Sequence, residues 1–478
     1  MQYPSHHLPM KALLLMLLVC LLSGPASAQE PPPEVQEELA VTPAGEVDWN
    51  AIQVLDLRTA EQIALAGNPT IAAAEARVQQ AEERISQARS IYWPRLDANA
   101  GASRVWLSEN EYQDSLNSAL LFNPLATIDD PSDYYQTDLT LSWLVFNGFA
   151  RSLNSKAAQY TRDQLAYSRE DTRRILLLSV ASAYLAAQLA LENITITHAD
   201  EKFYRDRYEE AKIRRQIGTG SLSDQLNFEV RVNAAISDRI KAERVYEAAR
   251  YSLAALLGIE YASLPDHVSL AALHSETREE MNHPDAVNLI AYAYDHRPDL
   301  LQQDVAVKNA EVGTKIAKSG FWPTINLTGS VTGNRDEDYY FEEDDFGNTV
   351  GIYLTYNLFA GGLDRAKTRE ARQKEVESIK TLENKQLSVA ADIRGSVADL
   401  RASQEQLLLL RSNAELIRQN RDLAEQEYNA GQGSLVRLNE AQQDLTAAQN
   451  RLALALVSMR QAWYALEANT GRILEYFN

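Results

Sequence analysis

The chain has 478 residues and a formal net charge of −20 at pH 7. So acidic a balance, with no basic stripe that carries interleaved aromatic residues, argues against nucleic acid as a partner. The ordinary explanation of the charge is a solvated acidic surface.

The N-terminus has the pattern of a secretory signal peptide. Lys11 precedes an apolar run, and Pro25-Ala26-Ser27-Ala28 offers a small-residue cleavage site. We therefore expect residues 1–28 to be removed. The only cysteine, Cys20, lies in this segment, so the mature chain is expected to hold no disulfide. Residues 29–54 are rich in proline and glutamate and predict a disordered lead-in.

The rest of the chain is an internal duplication. The turn Phe146-Asn147-Gly148 matches Phe359-Ala360-Gly361, and Gly258 matches Gly471, with 359 − 146 and 471 − 258 both equal to 213. A constant offset indicates a repeat without insertions between these landmarks. We predict a first repeat over 55–259, a linker over 260–284, a second repeat over 285–471 and a C-terminal tail over 472–478.

Long helices dominate each predicted repeat. Between Leu363 and Ala430 the chain has no proline, and apolar residues recur at the alternating three-and-four spacing of a coiled coil. Gln404 and Arg411 interrupt that seam. A helix of this length would measure about 100 Å. The expected long helices cover residues ~150–217 and ~363–430, and the expected shorter ones follow at ~222–257 and ~435–468.

The most apolar part of these helices, Ile175–Leu191, is near the short limit for crossing a bilayer. Ser179, Ser182 and Gln188 interrupt it, so we favour the buried seam of a helix bundle over a membrane span.

A β-hairpin precedes each long helix, over residues ~95–146 and ~324–359. Its strands alternate apolar and polar residues with period two, as in Leu139, Leu141 and Trp143 or Ile352 and Leu354. Membrane-barrel strands show this pattern, and so does a half-buried soluble sheet. We expect exposed acidic loops at 108–132 and 333–348, where a solvated charge run is favoured over a cation site.

Four strands cannot close a barrel, and lipid tolerates no open sheet edge. We therefore expect the barrel to be shared between chains. Three chains would supply twelve strands, whereas two would supply a narrow barrel of eight. The trimer is the preferred prediction.

These residues resemble the TolC-like outer-membrane efflux and secretion channels. The resemblance rests on the Asn68-Pro69 and Arg297-Pro298 openings, the Trp-Pro junctions before the strands, the Phe-x-Gly turns and the Gly-x-Gly-Ser-Leu tips. It implies a mainly α fold with β, in which a homotrimer forms a twelve-stranded barrel in outer-membrane lipid and an α-helical tunnel across the periplasm. It also implies two partners, a periplasmic adaptor protein and an inner-membrane pump of the RND or ABC type.

The resemblance further implies a gate at the helix tips, closed by aspartate–tyrosine and arginine–threonine links and by rings of aspartate. Asp224 and Tyr428 match the first link, and Ser223 could replace the threonine of the second. Gly433 stands where the arginine is expected, which is a departure. Arg437 and Glu440 occupy the ring positions, so one ring is basic. The ordinary alternative is that Asp224 and Tyr428 are cap and seam residues.

The tips themselves are expected to contact the adaptor. The glycines allow a tight reversal, and each serine can cap the next helix. The expected contact residues are Gly218, Gly220, Ser221 and Leu222 in the first tip and Gly431, Gly433, Ser434 and Leu435 in the second.

No motif indicates catalysis. Gly218-Thr219-Gly220 lacks the lysine and the setting of a phosphate loop, the histidines have no metal-ligand spacing, and no Gly-x-Ser-x-Gly elbow occurs. We expect no enzyme activity, cofactor or metal. The predicted function is a passive, gated exit duct for small molecules or polypeptide. The alternative is a periplasmic coiled-coil scaffold without a pore.

Overall fold

The computed structural model describes residues 49–336 and 339–477. The expected signal peptide and residues 29–48 of the expected lead-in lie outside the described residues. The end of that lead-in was predicted to be disordered, but in the structure it is ordered. Trp49–Ala51 forms a 3₁₀ helix, and strand β1, Val54–Leu55, pairs in parallel with β4, Ser269–Leu270. Leu55 is fully buried, so apolar burial and backbone pairing order this segment.

The first repeat places a β-hairpin between helices. Its elements are α1 (Leu57–Gly67), α2 (Pro69–Ser90), β2 (Arg95–Val105), α3 (Glu109–Phe122), β3 (Ser132–Asn147), α4 (Ala150–Gln216) and α5 (Leu222–Leu256). Asn68 separates α1 from α2. Its Oδ1 accepts from the Thr70 N–H at 2.8 Å, and its Nδ2 donates to the Leu256 carbonyl at 2.7 Å. One side chain therefore caps α2 and ties it to the end of α5.

The second repeat has the same order, except that a short 3₁₀ helix, Glu343–Asp345, lies in its hairpin loop in place of α3. Its elements are α6 (Ala286–His296), α7 (Pro298–Ala317), β5 (Thr324–Asp336), β6 (Phe346–Thr355), α8 (Leu363–Asn429) and α9 (Leu435–Thr470). A 3₁₀ helix, Arg472–Phe477, follows. Helices α4 and α8 each have 67 residues, which corresponds to about 100 Å at 1.5 Å per residue.

The two hairpins form one antiparallel sheet in the order β2-β3-β5-β6. Its register sets Leu96 beside Leu141 and Leu327 beside Ile352, so the predicted apolar positions share one face. Polar residues share the other face, as in the pair Ser330 and Thr349. Within the single chain Val350 is 73% exposed and Ile352 75% exposed. The apolar face is therefore uncovered, unlike that of a half-buried soluble sheet.

The loop between β2 and β3 differs from the prediction. Helix α3 occupies much of it, and a capping box between Ser108 and Glu111 starts that helix. The Ser108 Oγ accepts from the Glu111 N–H at 3.4 Å, while the Glu111 carboxylate accepts from the Ser108 N–H at 3.2 Å. Reciprocal capping satisfies two amides at the helix start, which stabilises a helix where a loop was expected.

Helices α4 and α5 pack together, as do α8 and α9. Ile393, Leu400 and Leu407 of the predicted seam are fully buried in one apolar cluster with residues of α6, α7 and α9. Helix α4 is the one described helix that is long and apolar enough to cross a membrane, and half of its most apolar 18-residue window is buried in the protein. Burial at Leu177, Val180 and Leu185 agrees with the predicted bundle seam.

The linker explains both interruptions of the α8 seam. Gln404 is only 1% exposed, and its Nε2 donates to the carbonyls of Glu280 and Asn282 at 2.8 and 3.2 Å. Arg411 forms an ion pair with Glu276. The polar seam positions thus hold the linker against α8, because they satisfy its backbone carbonyls and its carboxylate.

Candidate functional site

The two helix tips, residues 217–222 and 430–435, have the same backbone design. Gly218 and Gly431 adopt φ of 79° and 72°, a left-handed conformation that favours glycine. A Cβ on Gly220 would lie 2.9 Å from the Arg214 Cβ, and one on Gly433 would lie 3.0 Å from the Tyr428 nitrogen. The first glycine of each tip makes the reversal, and the second allows close approach to the preceding helix.

The serine of each tip caps the next helix. The Ser221 Oγ accepts from the Asp224 N–H at 3.0 Å, and the Ser434 Oγ accepts from the Arg437 N–H at 3.2 Å. Leu222 and Leu435 are the first residues of α5 and α9. Leu222 is exposed, whereas Leu435 packs on the apolar cluster around Phe228. Each tip is thus a tight turn followed by a serine-capped helix.

Tyr428 is half-buried where the two helix pairs meet. Its ring lies edge-on to Phe228, with centroids 6.2 Å apart, and the Arg214 guanidinium lies 5.7 Å from its centroid. Burial and the nearby Asp224 carboxylate raise the pKa of the Tyr428 hydroxyl. Asp224 is thus close enough to Tyr428 to act on it electrostatically. Within the described chain, no hydrogen bond joins the two side chains.

The other expected gate residues are exposed. Ser223 and Glu440 face solvent in the single chain. Arg437 forms a 2.8 Å ion pair with Glu427 at the end of α8. The basic ring position is therefore neutralised in part by an acid of its own chain.

A further cross-link between the helix pairs was not anticipated from the sequence. Arg207 of α4 donates to the Asn429 Oδ1 at 3.2 Å and lies 3.6 Å from the Glu425 carboxylate. Arg207 and Arg421 also lie 5.9 and 5.7 Å from the centroid of the Phe203 ring. The sequence did contain a signal for this cross-link, namely a difference between the repeats. Asn420 occupies the position in the second repeat that is equivalent to Arg207.

Polar side chains continue this contact away from the tips. The Asp200 carboxylate accepts from Gln442 at 2.8 Å and from Thr446 at 2.9 Å, which joins α4 to α9. Burial raises the pKa of Asp200. The Asn439 side chain donates to the Asn227 Oδ1 at 2.9 Å. These contacts are geometrically specific and partly shielded from water, and they fix the register of the two pairs.

The described residues contain no group of three or more His, Cys, Asp or Glu placed to hold a metal ion. Ion pairs form beside the tips, as between Arg214 and Glu210. The site is suited to holding helices together or releasing them.

The comparisons with known proteins agree with this geometry. The family model "Outer membrane efflux protein" matches residues 61–259 and 289–472. The pyoverdine export outer membrane protein OpmQ of Pseudomonas putida is 25% identical over 97% of this chain and 97% of its own length. Outer membrane protein TolC of Salmonella enteritidis is 24% identical over 87% of this chain and 82% of its own length.

The fold agrees with solved channels as well. The structure of the Campylobacter jejuni CmeC outer membrane channel superposes with a TM-score of 0.72 at 15% identity, covering 93% of this chain and 90% of that one. The predicted architecture of duplicated long helices with β-hairpins is confirmed. The relatives support outer-membrane export over the alternative of a periplasmic scaffold without a pore. Since the family model covers most of the sequence in both repeats, the chain belongs to the outer membrane efflux protein family.

Proposed function

We propose that three copies of the mature chain, after loss of residues 1–28, form a passive exit duct through the outer membrane. The duct carries small molecules or polypeptide, performs no chemistry and takes its energy from an inner-membrane pump of the RND or ABC type. A periplasmic adaptor joins pump and duct at the helix tips.

The main support for this proposal is the open sheet, which has one apolar face and one polar face. Strands β2 and β6 are unpaired edges of a four-stranded sheet whose apolar face is uncovered. Unpaired backbone amides are costly in lipid, so such a sheet is stable in a membrane only if other copies complete it. Three copies supply twelve strands, with the polar face turned to the lumen. The long helices α4 and α8, each about 100 Å, then extend the path into the periplasm.

In this proposal, contacts near the helix tips close the duct. Tyr428, Phe228 and Arg214 meet where α8 approaches the α4–α5 pair, and the contact from Arg207 to Glu425 and Asn429 adds a second link. Movement of one helix pair away from the other would break these contacts while leaving each tip turn intact. We propose Asp224, Tyr428, Ser223, Arg437 and Glu440 as gate residues, and residues 218–222 and 431–435 as the adaptor contact.

The test is the native mass of the mature protein extracted from outer membranes in mild detergent. A trimer is expected. A monomer, or protein recovered as a soluble periplasmic species, would leave β2 and β6 unpaired and would overturn the proposal.

A further inference from the structure

A small cavity lies far from the tips, where the start of α1, the end of α9 and the C-terminal 3₁₀ helix meet. Its volume is about 160 Å³. The lining includes two acids, one base and four aromatic residues: Glu61, Glu467, Arg58, Trp463, Tyr464, Tyr476 and Phe477. A cavity of roughly 150 Å³ is large enough to hold a molecule the size of benzene.

The two acids are buried without full partners. Glu61 is 5% exposed and Glu467 is 3% exposed. Within the described chain, no hydrogen-bond donor reaches Glu61 Oε1 or Glu467 Oε2. Arg472 lies 3.8 Å from Glu467 Oε1, a distance too long for a charge-assisted hydrogen bond. Buried carboxylate oxygens are normally hydrogen-bonded, so these two call for a donor from outside the chain.

We propose that this cavity binds a small aliphatic amine in its ammonium form. An ammonium group donates three hydrogen bonds, which is enough for Glu61 Oε1 and Glu467 Oε2, the two oxygens that neither Arg58 nor Arg472 reaches. The surrounding aromatic rings favour a cation and also receive a short hydrocarbon chain. Two carboxylates are too few oxygen ligands for calcium, and an anion has no hydrogen to donate to the two unpartnered oxygens. The site is separate from the tip gate, and the proposal does not depend on it.

Amine binding is coupled to proton release. Desolvation raises the pKa of Glu61 to about 8, against the lowering effect of Arg58. Burial also raises the pKa of Glu467, against Arg472, and Glu475 acts in the same direction as burial. A bound ammonium favours the ionised carboxylate, so Glu61 loses its proton as the amine enters.

The experiment is isothermal titration of the full mature protein in detergent at pH 7 with n-propylammonium chloride. Sodium chloride at equal ionic strength and n-propanol, which is similar in size but neutral, serve as matched ligands. We expect saturable binding of the amine alone, with a dissociation constant on the order of 1 mM for so small a ligand. Titration in two buffers of different ionisation enthalpy should show proton release.

Substitutions test whether the amine binds in this cavity. Glu61→Gln and Glu467→Gln should each weaken amine binding at least ~10-fold, whereas the exposed Glu82→Gln should bind as the wild type does. Absence of saturable binding, or equal binding of propanol, overturns the proposal even if a cavity variant fails to fold. Unchanged affinity in both cavity variants would also overturn it, because the amine would then bind elsewhere.

Discussion

Asp224 and Arg437 occupy the same position in the two repeats, yet they carry opposite charge. Each is the third residue of the helix that follows a tip, and each donates its N–H to the capping serine, at 3.0 and 3.2 Å. An acid is favourable at a helix N-terminus and a base is not. Arg437 is instead compensated by the 2.8 Å ion pair with Glu427. The duplication thus kept the backbone design of the tips while the charges diverged.

The Asp224 and Tyr428 pair gives the first prediction. Asp224→Ala combined with Tyr428→Phe should raise single-channel conductance in planar bilayers, because the carboxylate and the hydroxyl that can hold the helix pairs together are both lost. The phenylalanine keeps the ring contact with Phe228. Glu229→Ala, an exposed change on the same helix, is the control. Unchanged conductance would remove both residues from the gate.

A charge reversal tests the second link between the helix pairs. Arg207→Glu or Glu425→Arg should each raise conductance, since either places like charges across the 3.6 Å contact. The double reversal should bring the conductance part of the way back down to the wild-type value, with a coupling energy of about 0.5–3 kcal/mol. Additive effects in this double-mutant cycle would show that the two residues act independently.

The faces of the sheet can be told apart by adjacent substitutions in β6. Val350→Arg places a charge on the proposed lipid face and should cost ~2–4 kcal/mol near the bilayer midplane, lowering the yield of assembled protein in outer membranes. Thr349→Arg, one residue earlier on the polar face, should assemble normally. Equal yields would contradict the assignment of the faces.

The turn from β3 into α4 depends on Gly148. It has φ of 63°, and a Cβ there would lie 2.5 Å from the Ser319 carbonyl oxygen. Gly148→Ala should therefore destabilise the protein by at least ~2 kcal/mol, measured by thermal unfolding in detergent. Gly101→Ala is the control, because its Cβ would meet nothing within 4 Å, and its effect should stay within about 0.5 kcal/mol.

Glu61 predicts a pH dependence of stability. Its folded pKa of about 8 exceeds the ordinary value of 4.5. Between these values the unfolded chain ionises while the folded one stays protonated, so stability falls as pH rises, by at most about 1.4 kcal/mol per pH unit. Glu61→Gln should remove this slope, so that its thermal midpoint exceeds that of the wild type increasingly from pH 5 to pH 8. Parallel curves for the two proteins would contradict the burial of an ionisable Glu61.

Local sequence determined the duplicated plan of the protein. The constant offset, the absence of proline from Leu363 to Ala430, the period-two strands and the tip glycines each constrain the backbone within a few residues. Such signals are readable because helix periodicity, strand alternation and positive φ are local properties of the chain. Helix α3 was missed although its signal is also local. The capping box between Ser108 and Glu111 can be recognised in the sequence, but the composition of the segment favoured a loop.

Only the tertiary structure shows the roles of residues that break these patterns. Gln404 and Arg411 interrupted the predicted seam without an evident reason, and the fold shows that they hold the linker. The cross-link from Arg207 to Glu425 and the cavity around Glu61 and Glu467 join residues more than two hundred positions apart in the chain. Periodicity carries no information about such pairs, because their proximity depends on how the two repeats pack.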